Sequence, residues 1–102
     1  MAKYILAYHP GRMPGTPQEA AALRARWSRW VESLGDAMVD PGTPLGKSFT
    51  VSAAGVSEGG GGNPLMGFSV VKADGIEAAL KIARDCPHLS IGTIEVAEMK
   101  RM

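Results

Sequence analysis

The chain has a single cysteine, Cys86, and only two histidines, His9 and His88. One thiol excludes an intramolecular disulfide and any cysteine-based zinc cluster. Two imidazoles make an incomplete ligand set even with a carboxylate added, so neither a metal nor a cofactor is expected. Charge of one sign is also scarce: 11 Lys and Arg against 10 Asp and Glu leave a net charge of +1 over 102 residues. Such a balance supplies no global field for drawing in nucleic acid or an anionic membrane, and neither is expected as a partner. Long apolar runs are missing too. The first, Tyr4 to Tyr8, falls short of the roughly 7–15 residues of a secretory h-region, and none approaches the roughly 18–20 that span a bilayer. A cytoplasmic location is the expectation.

What remains is an ordinary globular composition, 45% apolar and 21% charged, in a chain sized for one domain, 1–102, with one modest core. Lys3 to His9 (KYILAYH) is a strand of β-branched and aromatic residues ended by Pro10-Gly11. Its lack of alternation implies that both faces are covered, one by helices and the other by a second subunit. After a Pro- and Gly-rich loop, Thr16-Pro17-Gln18-Glu19 combines an N-cap, a proline at the first helical position and a capping-box glutamate. Leu23, Trp27, Trp30, Val31 and Leu34 then form one apolar stripe, and Gly35 stops the helix. Arg24, Arg26 and Arg29 lie mostly off that stripe, as on a solvated helix face.

Ala37 to Asp40 is a short extended piece, and Phe49 to Val51 reads as the better second strand. Ala53 to Pro64, with the glycine run Gly59 to Gly62, reads as a flexible loop. It is no phosphate cradle, since Asn63-Pro64-Leu65 leads into a strand and not into a Lys-Ser/Thr helix start. Met66 to Ala73 is the third strand. Asp74 with Glu77 repeats the capping logic, and Ile76, Ala79, Leu80, Ala83 and Cys86 share one helical face before Pro87 breaks it. Ser90 to Met99 is the last strand. The order is β-α-β-β-α-β, an α+β fold of ferredoxin-like type, with both helices on one face of an antiparallel sheet. The other face, bare and apolar, suits a homodimer with closed twofold symmetry.

The stretch GFSVVKADGIEAALKIARDCPHLSIGTIEV, with the Gly42 to Leu45 turn and the order of elements, resembles the YCII-related family, in particular its DGPF branch. The resemblance spans nearly the whole chain and implies a dimeric α+β barrel. It implies little about activity: a few relatives in the wider superfamily are small-molecule isomerases, lyases or dehydrochlorinases, and DGPF members are often linked with extracytoplasmic-function sigma factors. Two departures stand out. The Asp-Gly-Pro-Phe element is missing, and the first helix has Trp27 near the place where YciI-like members carry a histidine.

In this topology the first and last strands are antiparallel neighbours, so His9 and His88 meet at one edge, where both long loops also leave. Histidine is the side chain suited to moving protons near neutral pH. One reading is a two-histidine proton-transfer site with Asp40 as orienting carboxylate and Tyr8, Trp27, Met66 and Phe68 as ligand-binding walls. The other is that both histidines are polar strand-end residues beside proline-bounded turns. Nucleophilic catalysis has no support, because Cys86 sits on a helix core face and no serine lies in a Gly-x-Ser-x-Gly elbow. The open alternatives are a small-molecule enzyme and a non-catalytic binding or regulatory protein.

Overall fold

The computed structural model describes residues 1–59 and 64–100. Within them the chain folds as β1 (Ala2–Pro10), α1 (Pro17–Leu34), β2 (Met38–Asp40), β3 (Phe49–Ser52), β4 (Gly55–Glu58), β5 (Gly67–Ala73), α2 (Ile76–Arg84) and β6 (Gly92–Met99). Short 3₁₀ turns at Gly35–Ala37 and Pro87–Ser90 link α1 to β2 and α2 to β6. The sheet runs β2-β5-β1-β6, antiparallel throughout. This is the ferredoxin-like α+β class that the sequence pattern predicts.

Strand period sets the two faces of the sheet. Tyr4, Leu6 and Tyr8 of β1 pair with Val71, Ser69 and Gly67 of β5, and all six are buried under the helices. The opposite face carries Ile5, Ala7, Phe68 and Val70, which are half-buried, with Ala97 and Met99 exposed beyond them. Trp30, Ala79, Ala83 and Cys86 complete the core from the helix side. Leu6 and Val71 are fully sealed from solvent, each contributing about 1.5–3 kcal/mol by leaving water. The Trp30 indole N–H donates to the Ile82 carbonyl at 3.3 Å and fastens α1 to α2.

The two helix starts differ. At α1 the Glu19 N–H donates to Thr16 Oγ1 at 3.0 Å, as a capping box requires. The Glu19 carboxylate, however, accepts from the Gly15 N–H at 2.9 Å and pairs with Arg12 at 2.6 Å. Those two contacts, the Gly15 N–H first, hold its carboxyl below the usual carboxylate range. At α2 the expected Asp74 cap gives way to Gly75, which is fully extended and has no side chain to cap with. The buried face of α2 also differs: Ala79, Ala83 and Cys86 point inward with Ile82 packed beside them, whereas Ile76 and Leu80 stay exposed. Ala78 and Ile82, packed against the core beside Ala79 and Ala83, take the places expected of Ile76 and Leu80.

The second strand is corrected as well. The edge of the sheet is Met38–Asp40, not Phe49–Val51. Gly42, at φ +76°, lies so close to β5 that a Cβ there would sit 1.7 Å from the Phe68 carbonyl oxygen. The chain then follows β5 through the Pro44–Gly67 bridge and the Leu45 N–H to Met66 carbonyl bond at 2.9 Å. That edge is occupied before Phe49 is reached, so β3 pairs with β4 in a separate two-stranded hairpin. Part of the expected flexible loop is therefore strand; residues 60–63 of the glycine run lie outside the described residues. No described helix is long and apolar enough to cross a membrane.

Candidate active-site cavity

The first turn after β1 and the entry to β6 are locked together by backbone bonds. Gly11 and Arg12 both donate to the Ile91 carbonyl, at 2.9 and 2.7 Å, and Met66 donates to the Tyr8 carbonyl at 2.8 Å. At this edge a cavity of about 360 Å³ opens between the sheet, α1 and the Pro41–Pro44 segment. Tyr8, Trp27, Met66 and Phe68, the four residues expected as ligand walls, all line it, joined by Leu23 and Ile91. Tyr8 stands edge-on to Trp27, ring centres 5.1 Å apart, and Trp27 is edge-on to Trp30 at 5.2 Å. Such T-shaped stacking holds Trp27 between Tyr8 and Trp30.

His88 lines the cavity, and its ring centre lies 5.1 Å from that of Tyr8. The residue is 3% exposed. Its Nε2–H donates to the His9 carbonyl at 2.8 Å, which fixes the tautomer and leaves Nδ1 as the lone-pair nitrogen of the neutral ring. Nδ1 has no hydrogen-bond partner among the described residues and is not fully buried, on a residue that lines the cavity. Gly92 is needed for this arrangement. A Cβ there would lie 2.2 Å from the His9 carbonyl oxygen and 2.6 Å from His88 Nε2.

The histidines meet, but not as a dyad. What reaches His88 is the backbone of His9; the His9 ring follows the odd-numbered face of β1, across the sheet from Tyr8. There Nδ1 lies 3.0 Å from the Pro64 carbonyl and Nε2 lies 3.0 Å from Glu95 Oε1. Both partners accept, so a ring protonated on both nitrogens satisfies both. Asp40 is not brought to either histidine: its Oδ1 accepts from the Gly42 N–H at 2.8 Å, closing the turn after β2. His9, Asp40 and Glu95 do not line the cavity.

Two residues beside the site, Ser69 and Glu95, had no role in the sequence reading, and Arg24, expected on a solvated helix face, lines the cavity. Ser69 links the elements: the Tyr8 hydroxyl donates to Ser69 Oγ at 2.7 Å, and Ser69 donates to the Pro41 carbonyl at 2.8 Å. Its signal was a polar residue on the buried face between Gly67 and Val71. Burial, which outweighs the Ser69 bond, pushes the Tyr8 phenol well above its ordinary range, so it stays neutral. Glu95 pairs His9 because strand register places it one step diagonal from the His9–Thr93 pair. Arg24 lines the cavity one turn before Trp27, which helical phase alone distinguishes from Arg26 and Arg29. Beside Tyr8, Cys86 is buried, and desolvation raises its thiol to about 11.

No protein-family model matches this chain. No curated protein matches it either. Among solved structures it is similar to 5-chloro-2-hydroxyhydroquinone dehydrochlorinase (TftG) from Burkholderia phenoliruptrix AC1100, in complex with 2,5-dihydroxybenzoquinone. The match has a TM-score of 0.59 and covers 97% of this chain and 95% of that one, at 17% sequence identity. At that identity the likeness is one of fold, and it runs over both chains almost end to end.

Proposed function

We propose that this chain is a homodimeric, cytoplasmic, single-domain protein of the YCII-related family, DGPF branch, that moves a proton on a small molecule in an isomerase- or lyase-type reaction. The observation that carries the reading is the fixed tautomer of His88: Nε2–H is committed to the His9 carbonyl, and Nδ1 is left without a partner among the described residues, on a side chain that lines an apolar cavity. A buried base of this kind takes a proton from a carbon next to a carbonyl, and the C–H electron pair passes into the enolate. The proton is then returned to another carbon, or a group on the adjacent carbon leaves with the electron pair. His9 acts through its carbonyl as the positioning residue. Tyr8 stays neutral and serves as a wall and hydrogen-bond anchor, not as a base. That a fold-neighbour is a dehydrochlorinase agrees with this reaction class.

The test follows two reactions with wild type and His88→Gln: conjugation of cyclohex-3-en-1-one to the 2-enone by ultraviolet absorbance, and chloride release from 5-chloro-2-hydroxyhydroquinone. Loss of a positioned base should lower the active reaction about 100-fold or more, with the fold retained by circular dichroism. Wild type no faster than buffer on either compound, or a His88→Gln variant as fast as wild type, would refute the reading.

A non-catalytic ligand-binding or regulatory protein, of the kind associated with sigma factors, is the second reading. It is favoured by one feature: no carboxylate lines the cavity among the described residues to assist the imidazole.

A further inference from the structure

We infer that the cavity selects a small planar organic anion, and that Arg24 is the residue that recognises its charge. The inference deepens the proposed function by naming the ligand class of the same cavity, and it rests on that cavity being the binding site.

Three features of the lining lead there. The first is charge. Of the residues that line the cavity, Arg24 alone carries a permanent charge, and none is Asp or Glu. Arg24 forms no ion pair or side-chain hydrogen bond among the described residues, unlike Arg12, which is spent on Glu19 and on the Met13 carbonyl. Its planar fork of N–H donors therefore remains available to a carboxylate or enolate oxygen.

The second is the shortage of other free donors. The Tyr8 hydroxyl is taken by Ser69, the His88 Nε2–H by the His9 carbonyl, and the Thr43 hydroxyl donates, at 3.4 Å, to the Pro44 carbonyl. A neutral polar ligand would find few donors beyond the Trp27 indole N–H, whereas an anion also finds the exposed Arg24 on the lining of an apolar pocket.

The third is shape. Tyr8 and Trp27 contribute aromatic walls, with Met66 as an adaptable apolar filler, and a planar ring uses such walls best. The inference also fits the proton-transfer chemistry. Removing a proton next to a carbonyl places negative charge on the oxygen, which Arg24 would meet.

The two tryptophans supply the assay. Trp27 lines the cavity, while the Trp30 indole N–H is tied to Ile82 and acts as an internal reference. Benzoate and benzamide, equal in size and differing in charge, are titrated into ¹⁵N-labelled full-length protein, and the indole resonances are followed by NMR. Wild type should bind benzoate about tenfold more tightly than benzamide, with the shift centred on Trp27. Arg24→Gln should lose about tenfold for benzoate and leave benzamide within about twofold; Arg24→Lys should recover part of the loss.

Equal affinity for the two compounds in wild type, an unchanged benzoate affinity in Arg24→Gln, or no effect of either compound on Trp27 overturns the inference. His88→Gln, run alongside, separates it from the catalytic reading. Arg24-dependent benzoate binding without any His88-dependent turnover supports the anion site and removes the enzyme; turnover with Arg24-independent binding does the reverse.

Discussion

Replacing Gly92 by alanine should damage both the fold and the candidate base. The added Cβ would lie 2.2 Å from the His9 carbonyl oxygen, an atom held in the β1–β6 ladder, and 2.6 Å from His88 Nε2. The side-chain atom can retreat more easily than the backbone, so His88 is displaced and its 2.8 Å bond to His9 is lost. Losing that bond costs about 1 kcal/mol, and the residual crowding in a packed strand pair about 1–3 kcal/mol more. A total of about 2–4 kcal/mol should lower the urea midpoint by about 1–2 M at the usual slope for a chain of this size. Gly46→Ala is the control, because nothing lies within 4 Å of its Cβ position. It should leave stability within about 0.5 kcal/mol of wild type. In ¹⁵N spectra, the His88 Nε2–H tautomer should dominate in wild type and in Gly46→Ala, and should be lost in Gly92→Ala. A Gly92→Ala midpoint equal to that of Gly46→Ala, with the His88 tautomer retained, would refute the steric argument.

Alkaline stability offers a separate check. Burial raises the Cys86 thiol from an ordinary 9.0 to about 11, so between those values the unfolded chain loses its proton first. The unfolded state then binds fewer protons than the native state, and stability falls with rising pH by up to about 1.4 kcal/mol per unit. Urea titrations from pH 8 to 11 should show that fall, and Cys86→Ala should lessen it; an equal slope in both proteins would refute the assignment. Gly75→Asp should give α2 the side-chain cap it lacks and raise the urea midpoint by a few tenths of a kcal/mol in equivalent energy, since an open, extended N-cap accepts Asp without a clash. Val70→Asp, on the helix-free face of the sheet, should convert a homodimer to monomer in sedimentation at micromolar concentration; a wild type that sediments as monomer ends the dimer proposal.

Local chemistry was legible in the residues. Thr16, Pro17 and Glu19 announced the start of α1, and the two-residue period of Met66 to Ala73 assigned its faces as observed. Periodicity and antiparallel neighbours were enough to bring the His9 and His88 segments to one edge. The edge strand was less legible. Phe49-Thr50-Val51 has the stronger β composition, but Met38–Asp40 holds the sheet because Gly42 and Pro44 keep the intervening chain against β5. Intrinsic preference lost to which segment reached the open edge first.

The sequence by itself determined β1, α1, β5, α2 and β6, because these rest on turns and apolar spacing within a few residues. Only tertiary structure decided what the histidines do. A side chain's direction depends on which face of a strand it occupies and which backbone group lies across from it, and those partners are 79 residues apart for His88 and His9. That long-range pairing sent the His9 ring to Glu95 and left His88 as the one histidine lining the cavity, with its Nε2 fixed. For Arg24 the helical spacing to Trp27 was in the sequence, but that this side of α1 borders a cavity was decided by the packing of α1 against the sheet.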